Sequence, residues 1–456
     1  MPVMANIRAV GFWTTADHFG MKGNVINGQA GKSVETIGAS SAPMTGWAQA
    51  VATAQNIFFK KTKPILDRCN NDLNTRLRLK YAPYYRAADS ADGVNVKVDG
   101  KLMLLMSSNE YLGLSRHPKV TEAAKRAVDQ WGTSACGSRL ANGSRAYHIE
   151  MEEALAAFLG KEACHVTAAG YLACTCSISS LVQRGDALVA DPNIHSSLWD
   201  GALLSGAKVE RFAHNDMDSL AKLLAELDPK QAKAIVVDGV YSMEGHVAPM
   251  ARLVELAEQH QMVVVVDEAH SLGVLGRNGR GVCDQFNVTD RVELICGSFS
   301  KALASTGGFV AGSRAMIEYL RSNSRQIIFS AAISPAAAAS ARAALEVMQS
   351  EPEHHERLWA NYRHLKAILQ GLKLDFWDSP TPALPIVIGD KVKCYELWKS
   401  LWDQGFFTVM SLPPGVPPGK DLLRCAVTAM HTTEQLDRFG DALKAAMKRA
   451  GVQPKA

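Results

Sequence analysis

From about residue 115 onward, short runs rich in apolar and β-branched residues alternate with segments of helical periodicity, and this alternation constrains the fold more than any other feature. Helical patterns at Val120 to Trp131 and Ile149 to Leu159 are followed by β-rich runs at Ala187 to Ala190, Ala234 to Val237, Met262 to Val266 and Leu294 to Cys296. Such alternation predicts an α/β fold with a mainly parallel central sheet. Beyond residue 340, helical segments at Ala338 to Met348 and Glu356 to Leu372 precede strands at Pro385 to Ile388 and near Leu423 to Val427. That tail reads as a smaller C-terminal α+β domain. The expected organisation is an N-terminal extension over 1–75, a lead-in segment over 76–115, a large α/β domain over 116–340 and a small domain over 341–456. Within the extension, Phe58 to Tyr81 is basic and reads as a helix.

Several function classes are excluded early. The 456 residues carry 49 basic and 45 acidic side chains spread along the chain, so no concentrated basic face is offered to nucleic acid. Gly28-Gln-Ala-Gly-Lys-Ser33 resembles a phosphate loop, but Ile26 stands where a Walker motif needs glycine. The nine cysteines form no paired CxxC framework, and Cys174-Thr-Cys176 lies in an apolar stretch that reads as core, so a reducing compartment is expected. No apolar run reaches the roughly 18 to 20 residues of a membrane span, and Ala9 to Trp13 is too short for a signal-peptide core. The expected location is cytoplasmic, with peripheral contact at the inner face of the membrane as an option. No metal site is expected.

The chemistry concentrates at strand ends. In Ile295-Cys-Gly-Ser-Phe-Ser-Lys301 an apolar strand runs into small hydroxyl residues and then one lysine. Desolvation and a nearby cation lower an amine's pKa, and the neutral amine is the form that attacks an aldehyde to make a Schiff base. Ser298 and Ser300 can donate to a phosphate beside it. Val263-Val-Val-Val-Asp267-Glu-Ala-His270 puts an acid at the carboxyl end of an apolar strand, where open α/β sheets bind ligands. There a carboxylate can keep a pyridinium nitrogen protonated; a magnesium-binding or helix-capping acid is the alternative. His195, in the turn-rich Asp191-Pro-Asn-Ile-His195, can lay its ring on an aromatic cofactor, or be ordinary packing. Ala168-Ala-Gly170-Tyr171 offers backbone N–H groups at a helix start, a way to hold phosphate without a charged side chain. Ser242, in Asp238-Gly-Val-Tyr-Ser242-Met-Glu-Gly245, ends another strand. Each signal is weak alone; their succession along one α/β domain is what points to pyridoxal phosphate.

The chain resembles the α-oxoamine synthase family of fold-type I pyridoxal-phosphate enzymes over roughly residues 80 to 445. The motifs are Ser107-Ser-Asn-Glu-Tyr-Leu-Gly-Leu-Ser115, Gly137-Ser-Arg-Leu-Ala-Asn-Gly143, His148, Asp238 to Gly245, Asp267-Glu-Ala-His270, Gly276-Arg-Asn-Gly-Arg-Gly281 and Gly297-Ser-Phe-Ser-Lys301. The resemblance implies a fold-type I transferase that decarboxylatively joins an amino acid to an acyl-CoA or carrier-protein thioester. It implies that Lys301 forms the Schiff base, that His195 stacks on the ring and that Asp267 pairs with the pyridinium. Ser242 and His270 would approach the ring hydroxyl. Gly170, Tyr171, Ser298 and Ser300 would hold the phosphate, with Ser330 reaching it from the partner subunit of a homodimer. Asn109 and Arg424 would line the substrate pocket and bind its carboxylate.

Within the family, Ser-Phe-Ser-Lys301 looks most like the branch that joins L-serine to palmitoyl-CoA, giving a 3-keto amine such as 3-ketosphinganine. Gly415 in Pro413-Pro-Gly-Val-Pro417 departs from the threonine common in oxononanoate synthases. Ala331 and Ala332 replace usual polar residues, which weakens the contact expected from Ser330. Members using alanine or glycine, an aminotransferase or lyase on the same fold, and a non-enzymatic scaffold are the competing readings.

Overall fold

The computed structural model describes residues 63–78, 83–413 and 415–455. The run Gly28 to Ser33 lies outside the described residues. The chain divides into two units between Arg86 and Ala87. In the first, the described part holds a helix at Pro64–Arg78, within the stretch expected to be helical.

The second unit, Ala87–Ala456, contains three sheets. One begins with β1 (Ser90–Asp92), β2 (Asn95–Val98) and β3 (Lys101–Leu105). The central sheet is built from β4 (Ala163–Thr167), β5 (Ala187–Ala190), β6 (Lys208–Arg211), β7 (Lys233–Asp238), β8 (Val263–Asp267), β9 (Leu294–Ser298) and β10 (Gly308–Gly312). Their spatial order is β4-β10-β9-β8-β7-β5-β6. Next along the chain come β11 (Ala383–Val387), β12 (Phe406–Phe407), β13 (Val409–Ser411) and β14 (Leu422–Ala426). β12 pairs in parallel with β3, and β11, β14 and β13 form a small antiparallel sheet near the C-terminus. A continuous helix, Pro335–Ser350, spans the expected boundary at 340.

In the central sheet, β10 alone runs against its neighbours β4 and β9, while β9, β8, β7, β5 and β6 pair in parallel. Every residue of β5, β7, β9 and β10 is buried, so these strands are covered on both faces and carry runs such as Ala-Ile-Val-Val with no polar alternation. The small residues at the ends of β10 serve backbone approach: a Cβ on Gly308 would lie 2.5 Å from Gly170 Cα and 2.7 Å from the Gly297 carbonyl. The consequence for function is directional. β4, β5, β7, β8 and β9 end on one edge of the sheet, and the segments that follow them carry most of the polar groups singled out above.

Candidate active site

That edge opens into a cavity of about 360 Å³. Asp267 closes β8, is 5% exposed and forms part of the floor. Its Oδ1 accepts from the Ala269 backbone N–H at 2.8 Å, and its Oδ2 accepts from the Cys174 thiol at 3.2 Å. Asp238, ending the adjacent β7, pairs with Asp267 in register. Two carboxyls at neighbouring buried strand ends cannot easily both ionise. Burial first, and then the charge of Asp267, push the Asp238 carboxyl well above the usual range, while its Oδ1 accepts from His195 N–H at 3.2 Å.

Lys301 follows β9 by three residues and is half-buried in the same cavity. Desolvation lowers its amine below the ordinary lysine value, partly opposed by the carboxylate of Asp267. The neutral, nucleophilic amine is therefore more populated here than on a surface lysine.

His195 is the N-cap of the helix Ser196–Ser205, directly after the β5 loop. Its Nδ1 accepts from the Ser197 backbone N–H at 3.3 Å and lies 2.7 Å from the Ser197 hydroxyl, which leaves the ring proton on Nε2. Burial lowers its basicity despite an exposed edge, and Lys301 lowers it further against the pull of Asp267.

The helix Gly170–Ser179 begins at the cavity. Its N-cap is Ala169, which has no side-chain acceptor, so the first N–H groups face the cavity uncapped. Gly170 is required by close approach: a Cβ there would lie 2.6 Å from Ser298 Oγ. Ser298 and Ser300 hydroxyls meet at 2.7 Å across from that helix end. Tyr171 stands at the rim with its ring edge-on to His195, and its hydroxyl donates to Asp200. An uncapped helix start with two hydroxyls, a buried carboxylate and a lysine of reduced basicity are the groups that a phosphorylated pyridine aldehyde needs, so these residues fit pyridoxal phosphate.

Beside this cavity, Arg424 sits in the middle of β14, 6% exposed. Its Nε donates to the Ser242 carbonyl at 2.7 Å, whereas its Nη2 is buried without a partner. Asn109 Oδ1 is likewise buried without a partner. Tyr111 is wholly buried, with its hydroxyl 2.8 Å from His270 Nδ1. His270 is held far below the ordinary histidine range by burial first, then by Lys301, Arg424 and His195.

Of the residues expected from sequence, Gly170, Tyr171, His195, Asp267, His270, Ser298, Ser300 and Lys301 line the cavity. Ser242, Ser330, Asn109 and Arg424 do not. Ser330 is half-buried beside Phe329, which is 80% exposed, in a segment bridged to Ser138 through Ala331. Asp238 and Cys174 also line the cavity, with no role expected for them from sequence. Cys174 reads as core, and it is buried; its helix turns that face toward the cavity. The signal for Asp238 was present in Val236-Val237-Asp238, which has the same strand-then-acid form as Val265-Val266-Asp267.

Residues 101–443 match the family described as aminotransferase class I and II. The serine palmitoyltransferase of Sphingobacterium spiritivorum is 41% identical over 370 residues, covering 81% of this chain and 93% of that one. The 8-amino-7-oxononanoate synthase of Symbiobacterium thermophilum is 41% identical over 341 residues, covering 75% of this chain and 87% of its own length. Among solved structures, a serine palmitoyltransferase from S. paucimobilis with bound PLP–myriocin superposes with a TM-score of 0.83 at 31% identity, covering 86% of this chain and all of that one. The chain belongs to the aminotransferase class I and II family and, within it, to the α-oxoamine synthases.

Proposed function

We propose that this protein is a pyridoxal-phosphate-dependent acyltransferase that condenses L-serine with a long-chain acyl-CoA, palmitoyl-CoA by preference, releasing CoA and carbon dioxide and forming a 3-keto amine such as 3-ketosphinganine. The observation that carries the chemistry is the pairing, in one cavity, of a lysine of lowered basicity with a strand-end carboxylate opposite an uncapped helix start. The choice of serine and palmitoyl-CoA rests on the serine palmitoyltransferases among the relatives and on Ser298-Phe-Ser-Lys301.

When bound, pyridoxal phosphate supplies an aldehyde for amines and, with its ring nitrogen protonated, an electron sink for a carbanion at the amino acid's α-carbon. The chain's residues do the rest. The N–H groups at Gly170 and Tyr171, with Ser298 and Ser300, would hold the phosphate. Asp267 would keep the proton on the ring nitrogen, and the neighbouring Asp238 carboxyl is pushed toward its uncharged form by burial and by Asp267. Lys301 Nζ, its basicity lowered by desolvation, is the amine that would hold the cofactor covalently and would accept the α-proton of serine. His195, with its ring proton on Nε2, would offer that N–H to the bound ligands. Arg424, with Nη2 unpaired, binds the substrate carboxylate by charge-assisted hydrogen bonds until decarboxylation, with Asn109 beside the substrate. His270, which lines the cavity, would approach the ring hydroxyl; Ser242, outside the lining, is placed there by the family resemblance alone.

Ser330 lies outside the cavity lining, so its phosphate contact is assigned to the neighbouring copy in a homodimer. Among the described residues no helix is long and apolar enough to cross a membrane. The proposed place of work is the cytoplasm, with peripheral contact at the inner membrane face where a long-chain product partitions.

A second reading, an oxononanoate synthase using alanine, has support in the 41% identity to such an enzyme. Titrating the visible spectrum of the holoenzyme with serine, alanine and glycine, then weighing the product formed with palmitoyl-CoA, separates the two. Serine is expected to perturb the spectrum and give the 3-keto amine. A response to alanine or glycine alone overturns the serine assignment.

A further inference from the structure

Tyr111 lies outside the cavity lining, yet its hydroxyl meets His270, which lines the cavity, and feels the charge of Arg424 beside it. It is 1% exposed, and its backbone sits at φ 49°, a left-handed conformation that is costly for a bulky residue. Strain of this kind persists where surrounding structure holds it and clusters at working sites. What the strain secures is the position of one oxygen. The hydroxyl is 2.8 Å from His270 Nδ1, with the two rings edge-on at 79°. Burial raises the phenol above its ordinary value, and the nearby guanidinium of Arg424 opposes that rise.

The donor inventory then fixes the arrangement. A guanidinium can only donate, so toward Arg424 the phenol oxygen accepts. Its single hydrogen is left for His270, whose Nδ1 must be the acceptor. The ring is neutral, because burial and the neighbouring cations oppose its protonation. A neutral imidazole accepting at Nδ1 carries its hydrogen on Nε2. Since Nδ1 is spent on a residue outside the cavity, Nε2–H is the only polar group that His270 has left for a ligand inside it.

We propose that Tyr111 is a positioning residue: its hydroxyl locks His270 as the Nε2–H tautomer and steadies the Arg424 guanidinium, tying the cofactor-side donor to the carboxylate-binding cation. This rests on reading the cavity as a pyridoxal-phosphate site.

Two measurements test it. In the full chain loaded with pyridoxal phosphate, Tyr111→Phe keeps the buried ring and removes only the hydroxyl. The balance between the visible absorption bands is expected to shift, and KM for L-serine to rise about tenfold with a smaller change in kcat, the size of one hydrogen bond to a charged partner. A folded variant with unchanged bands and unchanged KM overturns the proposal. Independently of that variant, 15N-histidine spectra of the wild-type chain, with the His270 ring assigned by its loss in His270→Gln, are expected to show hydrogen on Nε2 and none on Nδ1. Hydrogen on Nδ1 overturns the proposal. Absence of any borohydride-sensitive visible band in the wild type would instead overturn the reading of the cavity, while the tautomer remains decided by the histidine spectra.

Discussion

On the sheet side of the cleft, polar groups are largely paired within the protein: Asp267 with Ala269 N–H and the Cys174 thiol, Asp238 with His195 N–H, His195 with Ser197, and Ser298 with Ser300. The residues assigned to the amino acid differ, because Arg424 Nη2 and Asn109 Oδ1 are buried with no partner at all. A buried donor left unmade costs about 1 to 3 kcal/mol, and more when charged. The contrast teaches where each ligand's binding energy comes from. The cofactor meets groups already oriented, so it loses little in ordering them; the amino acid meets desolvated groups whose unmet hydrogen bonds it completes.

The largest expected effect comes from removing the one sheet-side group that forms a covalent bond. Lys301→Ala is expected to lower turnover by at least about 10³-fold, since both nucleophile and base are lost. The preorganised surroundings should nevertheless still hold the cofactor noncovalently. Borohydride reduction followed by mass analysis should then fix no pyridoxyl group on the variant, while dialysis retains cofactor. Loss of all cofactor affinity would show that the helix start and Asp267 are not prepared without the lysine, and the comparison would break.

An intermediate effect is expected on the other side. Arg424→Ala should raise KM for the amino acid about 10- to 100-fold, matching the roughly 1.5 to 3 kcal/mol of a hydrogen bond to a charged group. Cofactor affinity, read by spectral titration without amino acid, should change less than about threefold, because Arg424 is outside the cavity lining. Equal losses in both quantities would mean that the two sides are one cooperative unit.

Much of the sheet side was legible in the chain, and the reasons are local. An all-valine strand ending in Asp267, a strand running into Ser298, Ser300 and Lys301, and a glycine opening a helix each announce themselves within a few residues. What stayed hidden depends on pairing and rotation. That Asp238 faces Asp267 is a matter of strand register, which no local pattern fixes. β10 was unread because five residues bounded by glycines carry little strand signal, and its reversed direction is set by its neighbours. The helix Gly170–Ser179 is apolar or small on every side, so periodicity gives no means of seeing that Cys174 turns toward the cavity. Tyr111 was unreadable for a different reason: a left-handed tyrosine is a consequence of tertiary packing and leaves no mark in Asn109-Glu-Tyr-Leu-Gly113.

The smallest expected effect is the most discriminating, because it asks how finely the sheet side is tuned. The Cys174 thiol is kept protonated: its hydrogen bond with Cys296, burial and the charge of Asp267 all push it well above its ordinary value. It therefore serves Asp267 as a weak S–H donor and not as a second anion. Cys174→Ala removes that donor and leaves the carboxylate more basic, so it should hold the proton of the cofactor ring more firmly. Cys174→Ser replaces the thiol with a stronger donor, which draws charge from Oδ2 and should loosen that proton. The two variants are expected to move turnover in opposite directions, each by about two- to fivefold, as befits a hydrogen bond worth about 0.5 to 1 kcal/mol. The cofactor's ultraviolet–visible spectrum should shift with opposite sign in the two. Shifts of the same sign would mean that residue 174 acts through packing, and that only the backbone N–H of Ala269 sets the poise of Asp267.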